Sequence, residues 1–545
     1  MENLFKVSTV PLSVGALCSA SLLALSGNVH AQTKEKLNII VVLADDISAR
    51  EFPGYGSSVW SAPREKFYQE NSNPAYRAQT PMLDRLAKEG AVIRTAWANA
   101  VCSPSRATLM TGRYAHLHKW WQNSDIGTYR TADGKVRPWP LYMSSHHTIG
   151  QVAKEGGYAT FWVGKTQMKA SDLSRFEFDS VITSPGIDLG KSGTNPHTDF
   201  KLLKNKEPGP NKYISEDTGE PCTADWPEQS FFWQPNFGTL NWPEGTHSLE
   251  WWPNTPESGA KFGLATYGPD VEMDFILKFM EKKHAEGKPF FIYHTSHLGH
   301  EARNWLGQPG KIWYPGTPKI QWDGEKYLRT EPEITGDRGV YDTHGTVTDP
   351  GIHHHVNYLD YQVWQYMTEL EKLGIKDKTV FIFTVDNGTL GYGKMQVDRE
   401  RGPRVPFYIY IPGMKKHGMQ EILTDVTDIL PTIAEVAGVQ LPDDYEINGK
   451  SLVPYLTTDQ TTHRDWIYSF LFEKQLIRGY KVLRDGNGDW WDVENEPADM
   501  DSYPKITNWE KVSPAHRKEK KMLEEILPRF DKHDSEHDAP AALNP

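Results

Sequence analysis

The sequence Cys102-Ser103-Pro104-Ser105-Arg106 continues as Ala107-Thr108-Leu109-Met110-Thr111-Gly112-Arg113. The run from Ser105 to Met110 contains neither Gly nor Pro, which favours a helix that starts just after Cys102. The free amide groups and the positive end of the helix dipole would then lie beside Cys102. The stretch therefore predicts a cysteine at a place where an anion is attracted.

Strands and helices alternate on both sides of this stretch. Near-continuous apolar runs at 37–44 and 379–385 are typical of central parallel strands that are covered on both faces. Between such runs, Thr80-Pro81 and Gly90 have the residue types that begin and end a helix. We therefore predict an α/β fold with a large mixed or parallel sheet sandwiched by helices. From about residue 460 short strands follow one another, which predicts a smaller C-terminal α+β domain built on an antiparallel sheet.

Two acidic pairs directly follow the two apolar runs, Asp45-Asp46 after the first and Asp386-Asn387 after the second. The carboxyl ends of parallel strands meet at one edge of a sheet, so these side chains are expected to converge there. Ligands that offer only oxygen favour calcium or magnesium over zinc. Either pair alone could simply begin a turn, but two pairs together with the Cys102 segment favour a metal site.

The segment C-x-P-S-R followed by T-G-R resembles the signature of the formylglycine-dependent sulfatases, members of the alkaline-phosphatase-like superfamily. In that family a maturation enzyme oxidises the cysteine to formylglycine, whose hydrate attacks sulfur. The resemblance thus implies formylglycine at Cys102, with Arg106 beside it, and a fold of the alkaline-phosphatase type. It also implies a calcium ion whose ligands come from Asp45, Asp46, Asp386, Asn387 and residue 102.

Two lysines match further family motifs. Gly164-Lys165 stands where sulfatases carry G-K-W-H, which implies that Lys165 holds a sulfate oxygen and the hydroxyl of the nucleophile. Lys394 resembles the family's second sulfate-binding lysine, although a solvated surface lysine is the alternative. Gln167 replaces the usual histidine, and an amide cannot accept a proton as that base would. The sequence therefore does not identify the residue that acts as base when sulfate is expelled.

A histidine is expected to protonate the leaving group. The strand Pro289-Phe290-Phe291-Ile292-Tyr293 resembles the family's K-P-F-F-L-Y, and counting along that pattern makes His300 the general acid. His294 and His297 are rival positions. The three histidines 353–355 cannot share one face of a helix, so surface positions are expected for them rather than a metal site.

The ends and the charge of the chain indicate where the protein works. Residues 1–31 combine Lys6, an apolar stretch and Val29-His30-Ala31, as in a cleavable signal peptide, so a periplasmic or secreted protein is expected. No later segment has the length of apolar sequence that a membrane span needs. A net charge of -12 gives no reason to expect a nucleic-acid partner.

The predicted organisation is a signal peptide at 1–31, a catalytic domain at 32–460 and a small domain at 461–545. An irregular, tryptophan-rich insertion is expected at 184–263, and flat aromatic rings there suit sugars, although large loops also need aromatic anchors. We therefore expect an exported sulfatase acting on a sulfated polysaccharide, an algal galactan such as carrageenan first and a glycosaminoglycan second. The alternatives are a phosphonate or phosphate-ester hydrolase with the same nucleophile and a catalytically silent glycan-binding relative.

Overall fold

The computed structural model describes residues 36–531, apart from 64–68, 132, 169–172, most of 185–236, 260–265, 304–311 and 330–346. A sheet of eleven strands carries the fold. In chain order the strands are β1 Asn38–Ala44, β2 Ala91–Trp97, β3 Ala159–Gly164, β4 Ser180–Thr183, β5 Phe237–Leu240, β6 Leu249–Trp252, β7 Phe290–Thr295, β8 Thr379–Val385, β9 Arg404–Val405, β10 Phe407–Tyr410 and β11 Gly418–Asp425.

The order of the strands brings several of their carboxyl ends to one edge. It runs β6-β5-β4-β3-β7-β1-β8-β10-β2-β9, and β11 pairs with β2. Neighbours from β4 to β8 are parallel. Because β10 is antiparallel to both β8 and β2, β2 points the same way as β8. The predicted mixed sheet with a parallel centre is confirmed, and β3, β7, β1, β8 and β2 all end at the same edge.

Helices accompany the sheet, and the fully buried strands β1 and β8 show that both of its faces are covered. The helices are α1 Pro81–Glu89, α2 Cys102–Thr111, α3 Ala115–His118, α4 Leu141–Ser144, α5 Ile149–Glu155, α6 Pro256–Gly259, α7 Gly268–Ala285, α8 Ile352–Lys372, α9 Ile429–Ala437, α10 Val453–Thr457 and α11 Pro514–Ile526. Short strands outside the main sheet are Trp60–Ala62, Gln69–Asn71, Thr128–Arg130, Val136–Pro138, Leu202–Lys204, Tyr213–Ser215, Pro221–Cys222, Ala302–Arg303, Ile312–Trp313, Ile320–Trp322 and Tyr327–Arg329.

The chain ends in a second, smaller sheet of four antiparallel strands. These are β12 Ile467–Leu471, β13 Lys474–Arg478, β14 Val482–Arg484 and β15 Trp490–Asp492, in that spatial order. Helix α11 packs against this sheet through Leu523 and Ile526, which share an apolar cluster with Tyr468 and Phe470. The antiparallel C-terminal sheet is thus confirmed, while the domain boundary at residue 460 stays a prediction.

The insertion expected at 184–263 is more regular than predicted. Two of its segments form β5 and β6, which extend the main sheet. The ring of Trp242 stacks on Phe161 with 5.3 Å between centroids, and Trp252 packs edge to face on Phe275 at 5.1 Å. Trp242 therefore anchors its part of the insertion to strand β3, and Trp252 packs on helix α7, which is the anchoring role considered beside sugar binding; sugar binding by the insertion stays a prediction.

The predicted signal peptide at 1–31 lies outside the described residues, and so does most of the insertion between residues 185 and 236. Among the residues that are described, no helix is both long and apolar enough to cross a membrane.

A buried carboxylate connects the two sheets. Glu400 lies in the loop before β9 and is 1% exposed. Its oxygens accept hydrogen bonds from Trp97 at 2.9 Å and Arg404 at 2.9 Å in the large sheet. They also accept from Arg478 at 2.6 Å in β13 and from the hydroxyl of Tyr503 at 2.8 Å. Burial favours the neutral acid, but the two guanidinium groups outweigh it and lower the pKa of Glu400 to about 2.

We expect Glu400→Gln to lower the free energy of unfolding by about 3–5 kcal/mol, because it leaves buried guanidinium groups facing a neutral amide. The pKa of Glu400 is lower in the folded chain than its ordinary 4.5, so its stabilisation is present above pH 4.5 and lost towards pH 2. The difference between wild type and variant should therefore shrink in acid. Urea denaturation at several pH values measures both effects.

Glu496→Gln is the matched control. Glu496 also contacts Arg404, but its side chain is 25% exposed, so its removal should cost about 1 kcal/mol or less. Equal losses in the two variants would contradict the role of Glu400 as the connection between the sheets.

Candidate active site

The two acidic pairs meet because β1 and β8 are parallel neighbours. Ala44 pairs with Val385, so the chain leaves both strands at the same level. The amide of Asp46 donates to Asp386 Oδ1 at 3.0 Å, and Asn387 Nδ2 donates to Asp46 Oδ1 at 2.7 Å. Oxygens of Asp45, Asp46 and Asp386 lie within 4.8 Å of one another. The convergence expected from the sequence is present, and all four side chains are buried.

The oxygens of this cluster suit a divalent cation. Asp45 Oδ1 and Asn387 Oδ1 are buried and have no hydrogen-bond partner among the described residues. Burial and the neighbouring charge of Asp45 raise the pKa of Asp386 to about 7. Such a carboxylate is ionised readily only with a compensating cation. Three carboxylates and one amide oxygen are hard ligands, which fit calcium.

Cys102 is the first residue of α2, one position from the predicted start. Its Sγ lies 3.7 Å from Asp46 Oδ1. Burial raises the pKa of the Cys102 thiol far above its ordinary value, so the unmodified side chain is a poor nucleophile at neutral pH. Ser105 fixes the start of the helix, since its Oγ accepts from the amide of Asn99 at 2.9 Å and donates to the carbonyl of Val101 at 2.9 Å.

Three basic side chains surround the carboxylates. Arg106 lies one turn after Cys102, is fully buried, and has Nη2 at 2.7 Å from Asp386 Oδ2. Lys165 follows β3, and its Nζ lies 2.5 Å from Asp45 Oδ2. Burial favours the neutral acid of Asp45, but Lys165 and other nearby cations hold its pKa well below the usual range.

Lys394 is brought to the cluster by the loop that follows β8. Its Nζ lies 2.5 Å from Asp46 Oδ2, so the alternative of a solvated surface lysine is excluded. Two backbone hydrogen bonds hold the loop in place. The amide of Lys394 donates to the carbonyl of Thr389 at 3.0 Å, and the amide of Met395 donates to the carbonyl of Ala100 at 2.7 Å. Lys394 and the Cys102 segment are thereby tied together.

The structure distinguishes the three candidate histidines. His300 Nε2 lies 3.3 Å from Lys394 Nζ and 3.6 Å from Asp46 Oδ2, so this imidazole belongs to the cluster. Burial, with Lys394 nearby, lowers the pKa of His300 to about 4. His294 instead lies between Tyr366, at 3.0 Å, and Glu272 inside the core.

His297 has a different neighbour. It is buried, and its Nε2 lies 2.5 Å from the carbonyl oxygen of Ser184, the residue after β4. Burial, and next the charge of Lys165, lower its pKa well below the ordinary value. The insertion after Ser184 therefore leaves the sheet beside the cluster, a link that no local sequence pattern indicates.

Gly299, the residue directly before His300, lies where only glycine fits. Its φ is +104°, which proline cannot adopt. A Cβ at this position would lie 1.9 Å from the carbonyl oxygen of Asp45. The amide of Gly299 donates to His355 Nδ1 at 3.0 Å, and His355 Nε2 donates to the carbonyl of Pro315 at 2.7 Å.

The prediction that histidines 353–355 lie on the surface is wrong for His353 and His355, which are buried. His355 supports the Gly299 turn, and rings of Phe232 and Tyr314 pack against it at 5.1 and 5.8 Å.

Glu301 also belongs to the cluster, although no sequence motif indicated it. Its Oε2 lies 3.2 Å from Lys394 Nζ.

Gln167, which stands two residues after Lys165, has a φ of +49°. Its Oε1 is buried and lacks a hydrogen-bond partner among the described residues. The amide can therefore accept a hydrogen bond from a bound group, but it cannot take up a proton.

Comparisons with known proteins agree with the resemblance found in the sequence motifs around Cys102, Lys165 and Lys394. A family model described as Sulfatase matches residues 37–439. The N-acetylgalactosamine-6-O-sulfatase of Bacteroides thetaiotaomicron is 22% identical over 89% of this chain and 86% of its own length. Two crystal structures have similar folds. That of PsFucS1 sulfatase from Pseudoalteromonas sp. has a TM-score of 0.58 and 18% identity, over 91% of this chain and 92% of that one. That of Ps i-CgsB in complex with k-i-k-neocarrahexaose has a TM-score of 0.56 and 18% identity, over 92% and 94%.

We expect Gly299→Ala to lower the free energy of unfolding by about 2–5 kcal/mol, since it adds a backbone overlap to the strain of a left-handed conformation. It should also weaken calcium binding, because the overlap displaces Asp45. Calorimetric titration with calcium and thermal unfolding measure the two effects.

Gly413→Ala is the control for strain alone. Gly413 has a φ of +78° and nothing within 4 Å of an added Cβ, so a loss of about 1–2 kcal/mol with unchanged calcium affinity is expected. If both variants bind calcium like the wild type, the contact of Gly299 with Asp45 does not support the site.

Proposed function

The chain belongs to the sulfatase family and is a sulfuric ester hydrolase, and on that premise we propose that it removes sulfate from glycans with a formylglycine at position 102 and a calcium ion. The observation that carries the proposal is the position of Cys102. Its side chain lies at a helix start, 3.7 Å from an acidic cluster that three basic side chains surround. Such a site combines a nucleophile with groups that neutralise a sulfate ester.

Formylglycine and calcium would each be held by specific residues of the chain. Formylglycine at residue 102 would supply a hydroxyl nucleophile that a thiol with a raised pKa does not offer. Calcium would contribute positive charge at the sulfate oxygens, and its ligands would come from Asp45, Asp46, Asp386, Asn387 and residue 102. The unpartnered oxygens of Asp45 and Asn387 support this ligand set.

The basic side chains hold the sulfate group and stabilise the charge that develops on it. Lys165 and Lys394 are within reach of its oxygens from two sides of the cluster, while Arg106 fixes Asp386. Fixed cations in a buried site favour the transition state because they need no reorganisation. The unpartnered Oε1 of Gln167 would accept a hydrogen bond from the hydroxyl that formylglycine supplies at residue 102.

His300 donates the proton to the departing alcohol oxygen. Its position beside Lys394 carries this assignment, and the negative charge of a bound ester favours the protonated imidazole. His294 is excluded as the acid because it is buried between Tyr366 and Glu272.

The proposed substrate is a sulfated polysaccharide or its oligosaccharides, a galactan such as carrageenan first and a glycosaminoglycan second. The names of the similar proteins support a sulfated sugar, and one similar structure contains a neocarrahexaose. The insertion begins at Ser184, which contacts His297, so it starts next to the cluster. Trp242 and Trp252 pack against Phe161 and Phe275, so the proposed substrate does not depend on these two rings.

The proposal includes export and a maturation partner. Residues 1–31 act as a cleaved signal peptide, so the enzyme works in the periplasm or outside the cell, where large sulfated glycans are met. A formylglycine-generating enzyme modifies Cys102. Retention of the basic side chains and of the acidic cluster argues against a catalytically silent glycan-binding protein.

We expect the matured protein to release sulfate from carrageenan oligosaccharides with a kcat/KM orders of magnitude above that for 4-nitrophenyl sulfate, since remote contacts lower the barrier only in the larger substrate. Free sulfate is the readout, and mass spectrometry should find formylglycine at residue 102. Cys102→Ala should have no activity. An active enzyme with an unmodified cysteine would refute the mechanism, and equal rates on both substrates would refute the glycan assignment.

We expect His300→Ala to lose about 10²–10⁴ in kcat on sugar sulfates but far less on 4-nitrophenyl sulfate, whose leaving group needs no proton. His294→Ala is the control, because a histidine that acts only in the core should affect both substrates alike. Equal losses for His300→Ala would place the general acid elsewhere.

A further inference from the structure

One charged group of the site has no task in the proposed mechanism. The carboxylate of Glu301 lies 3.2 Å from Lys394 Nζ and 3.5 Å from His300 Nδ1, and its side chain is only 15% exposed. A carboxylate so close to a sulfate-binding lysine repels the anion that this lysine attracts. The carboxylate of Glu301 therefore weakens sulfate binding, and we ask which other property of the site it improves.

The total charge of the side chains around the acidic cluster indicates the role of Glu301. Among the described residues, three basic side chains face four carboxylates, which leaves one negative charge in excess. The side chains are Arg106, Lys165, Lys394, Asp45, Asp46, Asp386 and Glu301. Before an ester binds, with His300 neutral and a divalent cation in the cluster, the balance becomes a single positive charge, which matches the single negative charge of a sulfate monoester.

A phosphate monoester has the same tetrahedral shape but carries a charge close to -2 above pH 7. Without Glu301 the site would carry two positive charges and would match the phosphate ester instead. We propose that Glu301 determines specificity by making the site prefer singly charged sulfate esters over doubly charged phosphate esters. This inference rests on the proposed sulfatase function.

The magnitude follows from Coulomb's law. Since Glu301 contacts Lys394, its carboxylate would lie roughly 6–7 Å from a sulfur or phosphorus atom bound by that lysine. At the effective dielectric constant of a partly buried site, one additional ligand charge at this distance changes affinity by about tenfold or more. Glu301→Gln should therefore raise the ratio of phosphate to sulfate ester hydrolysis by about tenfold.

The test compares 4-nitrophenyl phosphate with 4-nitrophenyl sulfate, which share one leaving group. In matured Glu301→Gln, the ratio of their kcat/KM values should rise about tenfold at pH 8. The rise should shrink towards pH 5, where a growing share of the phosphate ester carries a single charge. Glu301→Asp keeps the charge and should keep the wild-type ratio. Glu244→Gln is the control, since Glu244 also contacts a lysine, Lys283, but outside the site, and it should leave the ratio unchanged.

Binding provides a readout besides activity. In calorimetry of Cys102→Ala loaded with calcium, adding Glu301→Gln should strengthen binding of the phosphate ester more than that of the sulfate ester. Equal changes for both esters, in rate and in binding, would show that Glu301 only positions Lys394 and His300, and would overturn the proposal. Loss of calcium affinity in Glu301→Gln would also overturn it, by assigning the residue to the metal. If the matured wild type releases no sulfate from any ester, the proposed function fails, and the binding comparison alone decides the role of Glu301.

Discussion

The parallel, in-register pairing of β1 with β8 is the interaction on which the site depends. It places Asp45-Asp46 and Asp386-Asn387 at one level, so buried carboxylates are forced within a few ångströms of one another. This arrangement is unfavourable unless positive charge is brought to it. Lys165 and Lys394 supply part of that charge from the loops after β3 and β8. The sheet thus brings carboxylates together that repel one another, and the loops after its strands supply the lysines that compensate their charge.

The loop after β7 shows how closely the backbone must approach this cluster. Gly299 lies against the carbonyl of Asp45, where a Cβ has no room, and its amide is bound by the buried His355. The same turn presents His300 to Lys394. A left-handed glycine therefore places the imidazole of His300 beside the acidic cluster.

Much of this arrangement could be predicted from the sequence because the signals are local. An apolar run followed by two acidic residues, or Cys102 followed by a stretch without Gly or Pro, is visible within ten residues. The contact of His355 with Gly299 and that of Glu301 with Lys394 join segments more than fifty residues apart, so no periodicity reveals them. For Trp242 the sequence could not decide between anchoring and sugar binding, since composition does not tell whether an aromatic ring faces solvent or the sheet.

The loop that carries Lys394 also carries Glu400, and Glu400 is bound by Arg478 and Tyr503 from the last part of the chain. The amide of Gly486 adds a bond to the carbonyl of Val397 in the same loop. During synthesis on the ribosome, Cys102 emerges early, whereas the groups that hold this loop emerge near the end. The loop of Lys394 therefore gains these additional supports only when the chain is almost complete. A nascent chain halted before residue 478 would contain Cys102, the acidic cluster and Lys394, but the loop of Lys394 would lack its bonds to Arg478, Gly486 and Tyr503.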